Sequence, residues 1–315
     1  MSTPALKGAY WVTARQYRRT LWLTGALVLA ALAVIGGLRV WDLQYPDVYV
    51  EDGYRRVADN NSGYQMLRGA MGQFSVVMVL LPFLTGAFVA GPLVAREFES
   101  GTYKLSLTQS VGPAAWLRAK LLTTTAVAVG TTLVLTAVYL IGWGRVSGTW
   151  QFHWADRGPY ETTGTVLVSY VLLAVAVGAL VGQLVRRTLL AMAVAGGLVG
   201  VVMLVLGSFR WDFLAVRTIT GPALENTSTL MVPGDGLLVE QGLIGASGQR
   251  LPGWFCSPDV PAEHCRPDEA IAAQYADYHP ASHFWPTQLI ETGILLALAA
   301  LAALAAFRVL RARHP

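Results

Sequence analysis

The stretch REFESGTYKLSLTQSVGPAAWLRAK, Arg96 to Lys120, decides how the rest of the chain reads. Gly69 to Ala95 before it and Leu121 to Gly144 after it carry no charged residue. A charged segment between two such runs is expected to be a loop emerging from a membrane. A span takes about 20 residues, because a helix rises about 1.5 Å per residue across about 30 Å of hydrocarbon. Working outward from the loop, six runs reach or approach that length: Leu21–Leu38, Phe74–Ala95, Leu121–Trp143, Thr162–Val185, Leu189–Phe209 and Thr287–Val309. Glu291, near the start of the last, is the one carboxylate within them. The composition agrees: 54% of the 315 residues are hydrophobic and 13% charged, where a soluble domain carries about a quarter charged. The expected class is an all-α integral membrane protein with six transmembrane helices. Leu21–Leu38 follows a basic flank but is too long for a signal-peptide core, and no cleavage site follows it cleanly, so it reads as a retained span.

Charge sets the expected orientation. With the N-terminus in the cytoplasm, the inner segments 1–20, 96–120, 186–187 and 308–315 hold 13 of the 23 basic residues in 55 positions. The outer segments 39–68, 145–161 and 208–286 hold the other 10 in 126 positions. The bias follows the positive-inside rule and puts both termini of a multi-pass plasma-membrane protein in the cytoplasm. Of the 19 acidic residues, only Glu97 and Glu99 fall inside. In residues 1–20, Lys7, Arg15, Arg18 and Arg19 fall on one arc of a helix and Leu6, Ala9, Tyr10, Thr13 and Tyr17 on the other. That two-faced pattern predicts an interfacial amphipathic helix.

Several chemistries are missing. None of the three lysines, Lys7, Lys104 and Lys120, follows a phosphate-binding glycine loop, so the chain is not expected to hydrolyse ATP. Zinc-protease, serine-hydrolase and Cys-x-x-Cys patterns are absent. Carrier proteins coupled to protons keep ionisable groups at mid-membrane, and five of these six runs have none. Energy for any work must then come from a partner.

Within the loop, Glu97 and Glu99 follow the point where the second span leaves the bilayer. Gly101 and Thr102 offer a break, and Ser110-Val111-Gly112-Pro113 a second one before the third span. Trp116, Arg118 and Lys120 are expected to anchor that span at the interface. The pattern A-R-E-x-E-x-G-T-x-x-x-x-x-T-Q-S-V, then W-x-x-x-K, resembles membrane subunits of type-2 ATP-binding-cassette (ABC) exporters, most of all the branch common in GC-rich Gram-positive bacteria. VTARQYRRTLW at the N-terminus and HPASHFWPTQLIETGILLALA (279–299) resemble that branch's opening and closing segments. The resemblance covers most of the chain and is most specific over 95–120. It implies a cytoplasmic coupling helix between spans 2 and 3, within 96–113, docked into a separate ABC ATPase subunit. The roles fall on Arg96, Glu97, Glu99, Gly101, Thr102, Thr108, Gln109 and Ser110. It further implies a second permease copy, identical or a close paralogue, a pathway lined by spans 2 and 5, and ATP and Mg bound by the ATPase rather than by this chain. Export is the implied direction, and the near charge-free interior suits a hydrophobic or amphipathic substrate: a natural product, a lipid or a peptide. The competing readings are a sensory or scaffold membrane protein that docks a cytoplasmic partner, and a membrane enzyme. No nucleic-acid partner and no catalytic residue are expected.

The implied organisation is 1–20 interfacial, 21–207 spans 1–5, 208–286 an extracellular cap, and 287–315 span 6 with its tail. Cys256 and Cys265 in the cap are expected to pair on the oxidising side. His264, His279 and His283 are scattered, and no metal site is expected. Glu291 either lines an external vestibule or sits wetted at a helix N-terminus, favoured by the dipole. Gly178–Gly182 and Gly196–Gly200 have helix-packing spacing, within one subunit or between two.

Overall fold

The structure is a computed structural model that describes residues 18–44, 48–51, 54–57, 61–103, 112–149, 152–222, 230–252 and 271–313. Six helices among the described residues are long and apolar enough to cross a membrane. Span 1 is α1, Arg18–Asp42. A short antiparallel hairpin follows, β1 Val48–Glu51 with β2 Tyr54–Val57. Span 2 is composite: α2 Ser62–Leu84, a π-helical turn Thr85–Ala90, then α3 Gly91–Ser100. Span 3 is α4, Pro113–Val146. The short α5, Arg157–Thr163, precedes span 4, α6 Val166–Val185. Span 5 is α7, Thr188–Phe209. Span 6 is α8, Phe284–Arg313, entered through a 3-10 turn at Ala281–His283. The proposed interfacial helix lies largely in residues 1–17, outside the described residues.

Three boundaries and the burial of two side chains differ from the expectation. Span 2 starts twelve residues before Phe74, because Asn61 caps Ser62 by accepting from the Tyr64 amide (2.9 Å), which brings Arg68 into the helix. Span 3 starts at Pro113, whose missing N–H suits the first helical position. The Thr162–Val185 run breaks at Gly164, where the chain turns extended and α5 separates from α6. Trp116 and Lys120, expected at the interface, are buried within the bundle.

Span 4 is the axis: 78% of its apolar window is buried, against 6% for span 1. It packs on spans 2, 3, 5 and 6. The closest approach is made by the π-helical turn of span 2. A Cβ on Gly178 of α6 would lie 2.3 Å from the Ala90 Cβ and 2.5 Å from its backbone carbonyl carbon. Gly196 of α7 meets Ala87 in the same way. The glycines therefore serve packing inside one subunit. In the turn the Gly91 N–H reaches the Gly86 carbonyl five residues back, and Pro92, directly after it, donates no amide.

Between spans 5 and 6 lies an antiparallel sheet of order β3-β6-β4-β5: Arg217–Pro222, Ile271–His279, Leu237–Gly245 and Arg250–Pro252. The segment expected as a cap thus carries a four-stranded sheet. It rests on the bundle where His279 packs on Trp211 (5.6 Å between rings) and the Trp154 indole N–H donates to the Asp235 carbonyl.

Candidate functional site

The expected site sits where span 2 ends. Gly101 closes α3 with φ 73, the left-handed conformation that glycine adopts without a Cβ penalty. The last turn before it carries Glu97, Phe98 and Glu99, and each has a partner on a different element. Lys120 of α4 donates to Glu97 Oε1 at 2.5 Å, and its Nζ stands 5.3 Å above the Trp116 ring. Phe98 packs against Tyr103 (4.6 Å) and edge-on to Trp116 (6.3 Å), with the Arg186 guanidinium 5.5 Å from its ring. Glu99 Oε2 accepts from the backbone N–H of Thr188 (2.9 Å) and from its hydroxyl. Thr188 is the first residue of α7, and its N-cap, Arg187, makes no side-chain cap. Glu99 therefore caps span 5 across space, where the helix dipole favours a carboxylate.

The Glu-Phe-Glu triplet thus fastens span 2 to span 3, to the span 4–5 turn and to the start of span 5. That turn is two residues long, and Arg186 takes a left-handed φ of 55 while its N–H caps the Gly182 carbonyl. Arg313 of span 6 donates to the Gln183 carbonyl at 2.6 Å, which ties span 6 to span 4. Arg96 and Thr102 are exposed on the outer side of this assembly, and Thr102 shares a hydroxyl contact with Ser100 (2.9 Å). Thr108, Gln109 and Ser110 lie outside the described residues. So do Cys256 and Cys265, and the structure gives the expected disulfide no support.

The opposite end of the bundle holds two buried ion networks. In the first, the fully buried Asp42 receives Arg145 through two bonds (2.8 and 2.9 Å), Arg39 (2.7 Å) and the Asn61 amide (3.2 Å). This joins spans 1, 2 and 3. In the second, Arg210 meets Glu291 through two bonds (2.9 and 3.0 Å) and Glu161 at 3.0 Å, while its guanidinium lies 4.1 Å from the Tyr160 ring. Tyr170 donates to Glu291 (2.8 Å) and Arg157 to Glu161 (2.9 Å). This joins spans 4, 5 and 6 with α5. Glu291 is fully buried in this chain, held by Arg210 and Tyr170. Two charges in low dielectric are tolerated only when paired with good geometry, and the forked arginine supplies it.

Sequence reasoning placed Arg145, Arg157, Glu161 and Arg210 in outer segments and missed these networks. The available signal was a single arginine closing a charge-free span, Arg210, and a single carboxylate opening another, Glu291. In the sheet, the Thr218 hydroxyl (2.5 Å) and Arg250 (2.6 Å) hold the Asp277 carboxyl below its usual range. Burial, and then the neighbouring His283, push His279 below the usual imidazole value. Among the described residues, no group of three or more His, Cys, Asp or Glu could hold a metal ion.

Residues 23–210 match the family model described as ABC-2 membrane transporter related. No curated protein and no solved structure gives a significant match. The matched region runs from span 1 to Arg210, covers more than half of the chain and includes the whole Arg96 loop. The chain belongs to the ABC-2 membrane transporter related family, as a multi-pass transmembrane transporter subunit of the ABC-2 permease type.

Proposed function

We propose that this chain is the membrane subunit of an ATP-driven exporter, coupled through residues 96–113 to a separate cytoplasmic ABC ATPase that binds the ATP and Mg. In this reading the Arg96 end faces the cytoplasm, both termini lie there, and the membrane is the plasma membrane. Two copies, or this chain and a close paralogue, enclose the pathway. The cargo is hydrophobic or amphipathic, and the branch is that of GC-rich Gram-positive bacteria. The observation that supports coupling is the pair of contacts made by Glu97 and Glu99. They lie in the final turn of span 2 and are bonded to spans 3 and 5, so a push on the following loop is passed to three spans at once. A lever of this kind works as a two-state element biased by the partner's nucleotide state.

The test is co-purification with the ATPase encoded beside it, followed by transport and hydrolysis in vesicles. Glu97→Ala combined with Glu99→Ala is expected to leave hydrolysis running while transport falls. Unchanged transport in that double variant sinks the coupling role. Labelling of a cysteine at the exposed Thr102 from the outside of intact cells would overturn the orientation.

A further inference from the structure

A cleft of about 450 Å³ lies between the first turns of span 2 and the segment leading into α5, at the Arg210 end of the bundle. One wall is Gln65, Arg68, Gly69, Gly72 and Ser75; the other is Phe152, Asp156, Gly158 and Pro159. Three features give it chemistry. First, Arg68 has no acidic partner among the described residues, whereas Arg39, Arg145, Arg157 and Arg210, the other helix-borne arginines at this end, all do. Second, a Cβ on Gly69 or Gly72 would meet nothing within 4 Å, so the wall below Arg68 is bare backbone facing open space. Third, the floor is closed and nearly neutral. Gly158 packs directly on Ser75, where a Cβ would fall 2.6 Å from the serine's own, and the Ser75 hydroxyl is already bonded to Tyr139 (2.9 Å).

Charge is therefore graded along the helix. Gln65 and Arg68 stand at the mouth, and the glycines and Ser75 continue about 10 Å deeper toward the bilayer centre, at about 1.5 Å per residue. Phe152 and Pro159 supply apolar surface opposite. Asp156 also lines the cleft, but it is held by the His153 amide (2.9 Å), and its charge disfavours a dianion. We infer that this cleft binds an amphiphile with one anionic head group, the head on Arg68 and the chain laid along the Gly69–Gly72 face. Such a ligand comes either from the bilayer, as an anionic phospholipid, or as a free single-chain acid. Binding needs no ATPase, so its failure leaves the export reading intact.

The test uses the full chain purified in a neutral detergent, with radiolabelled oleate as one probe and phosphatidylglycerol retained from nanodiscs, read by native mass spectrometry, as the other. Saturable oleate binding, or selective retention of phosphatidylglycerol over phosphatidylcholine, is expected, and which of the two occurs identifies the source. Arg68→Gln should weaken binding about tenfold or more, the scale of one charge-assisted hydrogen bond, and Arg68→Lys should restore part of it. Gly72→Leu should abolish binding while the melting temperature holds, because its side chain grows into open space; Gly69→Leu is the second filling variant. Full binding by a folded Gly72→Leu or Gly69→Leu protein, equal affinity for oleyl alcohol and oleate, or retention of neither probe would overturn the inference.

Discussion

At the Arg210 end of the bundle Arg39, Arg145, Arg157 and Arg210 turn onto Asp42, Glu161 and Glu291, while at the Arg96 end the arginines turn outward, Glu97 is half-buried against Lys120 and the exposed Glu99 caps span 5. Arg96, Arg118, Arg187 and Arg311 are exposed there, and Glu97 and Glu99 are both occupied by other spans. The difference lies in what each end is built to meet. Inward arginines weld spans to one another with bonds hidden from solvent. Outward arginines leave a cationic surface free for whatever stands beyond it, while the bonds beneath hold the spans in step. One end is fixed in itself, and the other is fixed beneath an exposed cationic surface, as the proposed coupling role requires.

The sharpest way to break the contrast is Arg210→Ala. It strands Glu291 and Glu161 without their shared cation, and removing one member of a buried pair costs about 3–5 kcal/mol. A large drop in melting temperature and in yield from membranes is expected; near-normal stability would show that the network does not weld that end. Next is Gly178→Ala, which drives a methyl into Ala90 of the π-helical turn. Overpacking of this kind costs about 1–3 kcal/mol, read as a lower melting temperature. At the Arg96 end the expected losses in stability are smaller and those in function larger. Glu99→Ala removes the carboxylate that caps span 5 at an exposed site, a small loss of stability, yet it should lower transport per ATP hydrolysed. A stability loss as large as that of Arg210→Ala would erase the distinction between the two ends.

The smallest effect lies in the sheet. His279 has a folded value below its unfolded one, so below pH 6.5 the unfolded chain takes up a proton that the folded one refuses. Stability should therefore fall as pH drops through that range, and His279→Gln should flatten the slope. The groups that face His279 are His283 and Asp212, together with the Trp211 backbone.

The spans were legible because the absence of charge over twenty residues is a local property. So was the exposure of Arg96, the first charge after a charge-free run. The partners were not legible. Glu99 finds Thr188 across 89 positions and Arg210 finds Glu291 across 81, and nothing near either residue encodes the other. The sheet was read only as a cap: β6, IAAQYADYH, has few β-branched residues, and β3 ends in Gly-Pro, so neither shows a strand's alternation. Arg68 was counted with a loop because Gly63 and Gly69 mask the helix that the Asn61 cap begins.

The six-residue π-helical turn also fixes the aim of everything downstream of it. A π turn amounts to one residue more than an α-helix would need, and one residue is about 100° of rotation about the axis. Excising a single residue between Thr85 and Ala90 would let span 2 run straight while swinging its far end by nearly a third of a circle. Glu97 would then point away from Lys120 and Glu99 away from Thr188. The irregularity acts as a phase setting, and the bearing of the loop depends on a bend some ten residues upstream.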